Sequence, residues 1–171
     1  APPLLTDTAV TAGRLGLLGA VTLPRLLAQA DHQVGGALPW PGPALTGGSC
    51  DRGSPGNWGD PLPAGGPCAG WFPVINAGAG TLVGGGVGQG VLLGVGALEL
   101  AGDVSFTGVV IALGPLHLRD RARVTGAVIA LDSVTLSDSV TVEWSDCAAT
   151  MALSGAARPA DRPSRPWVVL P

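Results

Sequence analysis

The side chains able to do chemistry are few and scattered along this sequence. There are two histidines, His32 and His117. His32 follows Asp31, but adjacency in sequence does not orient an imidazole for proton transfer. His117 falls at an outward place of the repeat described below, where an ordinary exposed residue is expected. Arg119, Arg121 and Arg123 surround Asp120 along a strand and a corner, the pattern of a solvated rim rather than of a polyanion site. Asp103, Asp120, Asp132 and Asp138 stand at corners or beside them, and turn chemistry accounts for them without calcium or general acid work. Residues 84–90 (GGGVGQG) have the look of a phosphate loop but lack the following Lys-Ser/Thr and a helix. No nucleophile elbow, zinc-protease motif or dinucleotide fingerprint occurs. The expectation is a protein that is not an enzyme and needs neither metal nor cofactor.

Three cysteines permit one disulfide and one free thiol. Cys50 and Cys68 bracket a stretch rich in Pro and Gly, and closing a loop of that length stabilises by ~3 kcal/mol on chain-entropy grounds. Cys147 is able to capture either partner instead, and spacing alone leaves that open. Disulfide formation favours an oxidising, extracytoplasmic location, extracellular or on the cell surface. Metal binding is the alternative use of cysteine, but there is no CxxC and no neighbouring His.

The elements that must position these groups are written in the stretch 90–143, where an eighteen-residue unit occurs three times, opened by Gly90, Gly108 and Gly126. Each unit divides into three hexads that begin with Gly or Asp. The third and fifth places of the hexads are never polar, as in Leu98 and Leu100, Val104 and Phe106, Val124, or Val134 and Leu136. Two apolar places one residue apart are the period of a β-strand. A Gly or Asp every sixth residue supplies corners, because both tolerate positive φ. Three short strands and three corners close one coil, and stacked coils make a parallel β-solenoid.

The same grammar, less perfect, runs through 7–24, with Leu15, Leu17, Val21 and Leu23 inward, and through 72–89, with Val74 and Leu82 inward. The expected organisation is one domain over 1–171: a first coil at 7–24, an insertion loop at 25–71, four further coils at 72–143, and a carboxy-terminal tail at 144–171. The insertion opens with RLLAQADHQVGG, which suits a short helix or a strand. From 38 to 70 it is too dense in Pro and Gly for a sheet interior. Large residues at Leu100, Phe106 and Leu118 stand where left-handed hexapeptide acyltransferase coils carry small ones, which favours a right-handed coil.

The first face of each coil is wrong for water. Its outward places are Val91, Leu93 and Val95, then Val109, Ile111 and Leu113, then Ala127, Ile129 and Leu131. Nine apolar residues on three adjacent strands exceed what a soluble monomer leaves bare. Either the chain covers them, with residues 25–30 or the tail near Met151, Leu153 and Trp167, or a second copy does. Uncapped coil ends offer a second route to self-assembly.

Composition excludes some classes. Of 171 residues, 46% are hydrophobic, which argues against disorder, and the net charge of −3 leaves no basic footprint for nucleic acid. No stretch is long and apolar enough to span a membrane. The chain opens Ala1-Pro2-Pro3 without an initiator Met, as a mature or trimmed chain would.

The run Cys50…NWGDP (57–61)…Cys68-Ala-Gly-Trp-Phe-Pro-Val-Ile, then GQGVLL (88–93), the coils, and Trp144-Ser145-Asp146-Cys147 resembles the carboxy-terminal solenoid region of PilX-like type IV pilus assembly proteins of environmental bacteria. The coils also look like those of bactofilins, cytosolic filaments of stacked right-handed coils. The resemblance implies a structural role with copies of itself or other pilus subunits as partners. The resulting expectation is an all-β, right-handed parallel solenoid of about five coils that self-assembles into, or decorates, a cell-surface filament. A carbohydrate-binding adhesin using Trp40 and Trp58 as platforms is one alternative. A polysaccharide-active β-helix enzyme using the Arg119–Arg123 group is another.

Overall fold

A computed structural model of the chain describes residues 22–61, 65–137 and 139–157. A short helix, α1 (Leu23–Ala28), leads into β1 (His32–Val34) and β2 (Ala37–Leu38). A hairpin of β3 (Leu45–Thr46) and β4 (Ser49–Cys50) follows, then β5 (Val74–Ala77) and β6 (Thr81–Val83). Next come β7 (Gly86–Gly94), β8 (Leu98–Leu100), β9 (Val104–Ala112), β10 (Leu116–Leu118), β11 (Arg123–Ala130), β12 (Val134–Leu136) and β13 (Thr141–Trp144). Helix α2 (Asp146–Ala156) completes the described chain.

The strands form two parallel sheets. One runs β1-β5-β7-β9-β11-β13 and the other β2-β6-β8-β10-β12. Together they make a β-solenoid of about four turns. Leu98, Leu116 and Val134 stack in one column, and Val91, Val109 and Ala127 in another. Each step is eighteen residues, as the repeat predicts. The inward places meet in one apolar core that includes Leu92, Leu98, Leu100, Phe106, Val110, Leu116, Leu118 and Val124.

Three short strands per coil were the expectation, but each regular turn has one long strand and one short. The third and first hexads fuse into strands of nine, nine and eight residues in β7, β9 and β11. The corner between them survives as a bend at Gly90, Gly108 and Gly126, with φ of 105°, 138° and 136°. A β-carbon on Gly108 would overlap the carbonyl oxygen of Gly90, and one on Gly126 that of Gly108. The glycine column therefore lets successive backbones close up at the bend as well as allowing its dihedral.

The turn before β7 departs from the predicted phase. Val74 pairs with Val91 and Thr81 with Leu98, a step of seventeen, whereas Gly86 pairs with Val104, a step of eighteen. Two residues join β6 to β7, but three join β8 to β9. A slip of one residue exchanges the faces of a strand. Ile75, Ala77 and Val83 consequently enter the core, while Val74 joins the outer apolar cluster and Leu82 is only partly buried. Val74 and Leu82 are thus not the inward residues of this turn.

The expected first coil, 7–24, lies almost entirely outside the described residues. Its last members, Leu23 and Pro24, belong to α1, whose N-cap Thr22 accepts a hydrogen bond from the Arg25 amide at 3.4 Å. Nor is 25–71 wholly an insertion, because β1 and β2 inside it extend both sheets.

Candidate functional site

The nine residues of the apolar first face are placed by β7, β9 and β11 and by the segments following them. Val91, Leu93, Val109, Ile111 and Ala127 lie in a second buried cluster with Leu26 of α1 and Ala152 and Ala156 of α2. Leu113, Ile129 and Leu131 are half-buried and Val95 is exposed. The chain thus roofs most of this face with its own two helices, and the face is not a free adhesive surface at these five buried positions.

The roofing helix follows from local sequence. Ser145 caps α2 by accepting a hydrogen bond from the Ala148 amide at 3.3 Å. Ala148, Ala152 and Ala156 recur every fourth residue on its buried side. Small residues let the helix axis approach the flat sheet, and a β-carbon on Gly108 would stand 3.0 Å from Ala152 Cβ. Sequence reasoning found no period in this tail. The signals were the Ser145 cap and the four-residue alanine spacing. Trp167–Leu170, another proposed cover, lies outside the described residues.

The stretch taken for an irregular loop supplies a missing strand in pieces. The amides of Val87, Gln89 and Val91 donate to the carbonyls of Pro41, Trp58 and Pro73 at 2.9, 2.7 and 2.9 Å. Three separate segments therefore lie side by side with β7, where other turns have one continuous strand. Two excursions, beginning at Gly42 and at Gly59, leave and return between them. Gly88 occupies an inward place because Trp58 fills the space above it. A β-carbon there would come within 3.1 Å of both Trp58 and Phe106. Trp58 is 2% exposed, stands edge-on to Phe106 at 6.4 Å, and donates its indole N–H to Pro55 at 3.3 Å. It is core, so of the two platforms that the adhesin alternative would use only Trp40, 68% exposed, is on the surface.

Cys50 and Cys68 form a disulfide joining the two excursions, with Cα atoms 5.0 Å apart, and Cys147 is free and exposed. Two buried amides complete the fastening. The Asn57 side-chain nitrogen donates to the carbonyls of Asp51 at 2.6 Å and Ala44 at 3.1 Å, and its oxygen accepts from Gly59 N–H at 3.1 Å. The Gln89 side-chain nitrogen faces the carbonyls of Trp71 at 2.8 Å, Ala69 at 2.9 Å and Cys68 at 3.2 Å. Buried amides satisfied in this way hold irregular backbone that has no ladder of its own. Asn57 and Gln89 fall in the NWGDP and GQGVLL runs, but nothing there marks them as fasteners, because an amide in a Gly-rich stretch carries no periodic signal.

The charged groups are used between turns. Arg121 makes a forked pair with Asp103 at 2.7 and 2.9 Å, and Arg119 bridges Glu99 and Asp120. The hydrogen bond from Arg121 holds the Asp103 carboxyl below its ordinary range, and Glu99, more than Asp120, raises the Arg119 guanidinium. The arginine group is therefore a partly neutralised, exposed rim. A shallow depression of about 320 Å³ beside it is lined by Glu99, His117, Leu118, Arg119, Thr135 and Ser137. His32 is buried, edge-on to Trp71 at 5.5 Å, while the Asp31 carboxylate accepts from the Val74 amide at 2.9 Å. Asp31 and His32 thus serve different contacts. Among the described residues no group of His, Cys, Asp and Glu is placed to hold a metal ion.

Among the described residues, one surface is apolar and bare. β12 and β13 are the outermost strands of the two sheets, both at the same end of the stack, and all seven of their residues are exposed. Val134 and Leu136 are 38% exposed, Val142 39% and Trp144 68%. One turn inward, their partners Leu116, Leu118 and Val124 are 1% exposed or less. No helix among the described residues is long and apolar enough to cross a membrane. The sequence matches no known protein-family model and no curated protein, and the fold matches no solved structure.

Proposed function

We propose that this chain is an extracellular structural protein that self-assembles into, or decorates, a cell-surface filament. The carrying observation is the apolar end of the stack, where Val134, Leu136, Val142 and Trp144 stand exposed on strands with one edge unpaired among the described residues. Such an edge recruits another strand, and natural sheets that stay monomeric blunt it with charge or cover it. The disulfide agrees with an oxidising compartment. The adhesive surface in this reading is the coil end, since the apolar face is mostly roofed by α1 and α2.

Light scattering across a concentration series, followed by negative-stain electron microscopy, tests the reading. Ordered oligomers or fibres are expected; a monodisperse monomer at every concentration would overturn it. A second reading, a carbohydrate-binding module, is favoured by Trp40 alone. Its ring lies 3.3 Å from where a Gly85 β-carbon would stand, and its backbone sits at φ 53°. Sugar-dependent quenching of tryptophan fluorescence, abolished by Trp40→Ala, is the outcome that reading requires.

A further inference from the structure

We infer that the β12/β13 end binds the same end of a second copy, in a two-fold, end-to-end dimer. The inference rests on the self-assembly reading and specifies its contact. Burial shows what is missing there. Covering by one further turn takes the column positions from 38% exposed at Val134 and Leu136 to 0% at Leu116 and 1% at Leu118. Among the described residues no further apolar layer covers this end.

The described chain does not supply that layer. After Trp144 it turns back along the stack. α2 passes β11, β9 and β7, and at Gly155 a β-carbon would lie 2.8 Å from Phe72 Cβ, at the level of the turn before β7. The chain therefore leaves the described structure at Ala157 well away from the bare end. It enters at Thr22 through α1, which leads directly into β1 at the opposite edge.

Composition selects the partner's surface. The opposite edge, at β1 and β2, exposes Gln33, Gly35, Gly36 and Ala37, followed by Pro39 and by Trp40, whose ring lies against the corner at Gly85. A head-to-tail contact would set an apolar end on a polar and glycine-rich one. An end-to-end contact sets Val134, Leu136, Val142 and Trp144 against their own copies, as an isologous two-fold interface requires. It also pairs edge strands antiparallel, the slightly more stable ladder. Glu143 alternates with Val142 and points away from the core, so it falls at the rim. Cys147, three residues beyond Trp144 and exposed, reports on the contact.

Sedimentation velocity is run on the whole chain, on Val142→Asp and Trp144→Glu at the bare end, and on Ala37→Asp at the opposite end, with circular dichroism to verify folding. Wild type is expected to be a dimer, or a larger species built from dimers. The two bare-end variants weaken association by roughly tenfold or more, and Ala37→Asp leaves the dimer intact. A short bismaleimide is expected to join the wild type into one covalent dimer through Cys147 and to leave Cys147→Ser unjoined. Both bare-end residues are exposed, so two variants guard against one that fails to fold. Oligomers that survive both bare-end changes, or that Ala37→Asp dissolves, overturn this contact while the self-assembly reading stands. A strictly monomeric wild type overturns both.

Discussion

The turn carried by β9 and β10 and the turn that precedes β7 lie two layers apart in one stack, with β7 and β8 between them, yet they are built differently. The first is continuous chain: corner, strand, corner, strand, with every inward place apolar. The second is assembled from Pro41, Trp58 and β5, brought side by side from three places and fastened by a disulfide and two buried amides. A repeat supplies its own hydrogen-bond partners one turn on, so it needs only glycine at the bend. An interrupted turn has no such partner in sequence, and side chains and a covalent link must replace the ladder.

The continuous turn should therefore break at its glycine column. Gly108→Ala places a β-carbon against the Gly90 carbonyl, which is backbone and unable to move aside, and 3.0 Å from Ala152 Cβ. The strands would have to part, and the cost is expected to exceed about 4 kcal/mol, enough to lose the fold. Gly35→Ala, with open space around it and no positive φ, should change stability by less than about 0.5 kcal/mol. Denaturant unfolding followed by circular dichroism compares the two. Equal, small effects would show that the close approach at the bend is not needed.

The assembled turn should instead break at its staple. Replacing Cys50 and Cys68 together by Ser is expected to cost about 3 kcal/mol, since it frees a loop with few apolar contacts of its own. The damage should be local, with limited proteolysis cutting within 42–57 before the regular turns are touched. Cys147→Ser, at an exposed free thiol, should leave the unfolding midpoint unchanged. A uniform loss of protection across β9 and β11 would mean that the two kinds of turn unfold together.

This difference in construction also decides what the sequence could reveal. The inward columns of residues 90–142 were legible because a strict period leaves no alternative phase, and the parallel solenoid followed from them. One residue fewer between β6 and β7 shifted the preceding turn, and the hexad frame had no means of registering a deletion at Gly84-Gly85. Trp58 reads as loop because it is flanked by Gly and Pro, but the cavity it fills is recorded in another segment, at Gly88. The apolar face was visible, and so was the need to cover it. Its cover was not, because α2 presents alanines to the sheet, and alanine makes a weak amphipathic pattern. The bare end at β12 and β13 carries the same inward residues as every other turn, so only the stack's termination distinguishes it.

The smallest expected effect lies on the rim that joins the regular turns. Arg121 holds the Asp103 carboxyl below its ordinary range, so the folded state binds that proton less readily than the unfolded chain. The stabilisation is then fully present above the ordinary carboxylate pKa, about 3.9 for Asp, and is lost as pH falls through the depressed folded value. Both partners are well exposed, with side-chain accessibilities of 69% and 57%, and solvent screening keeps the contribution small. Asp103→Asn should lower the midpoint of thermal unfolding slightly at neutral pH and low salt. The difference from wild type should shrink at roughly 1 M salt, where the Debye length is about 3 Å, and vanish in acid once wild-type Asp103 is itself protonated. A deficit that persists in acid would point to a role for Asp103 in shaping the corner after Gly102, independent of its charge, and the regular turns would then depend on corner geometry alone.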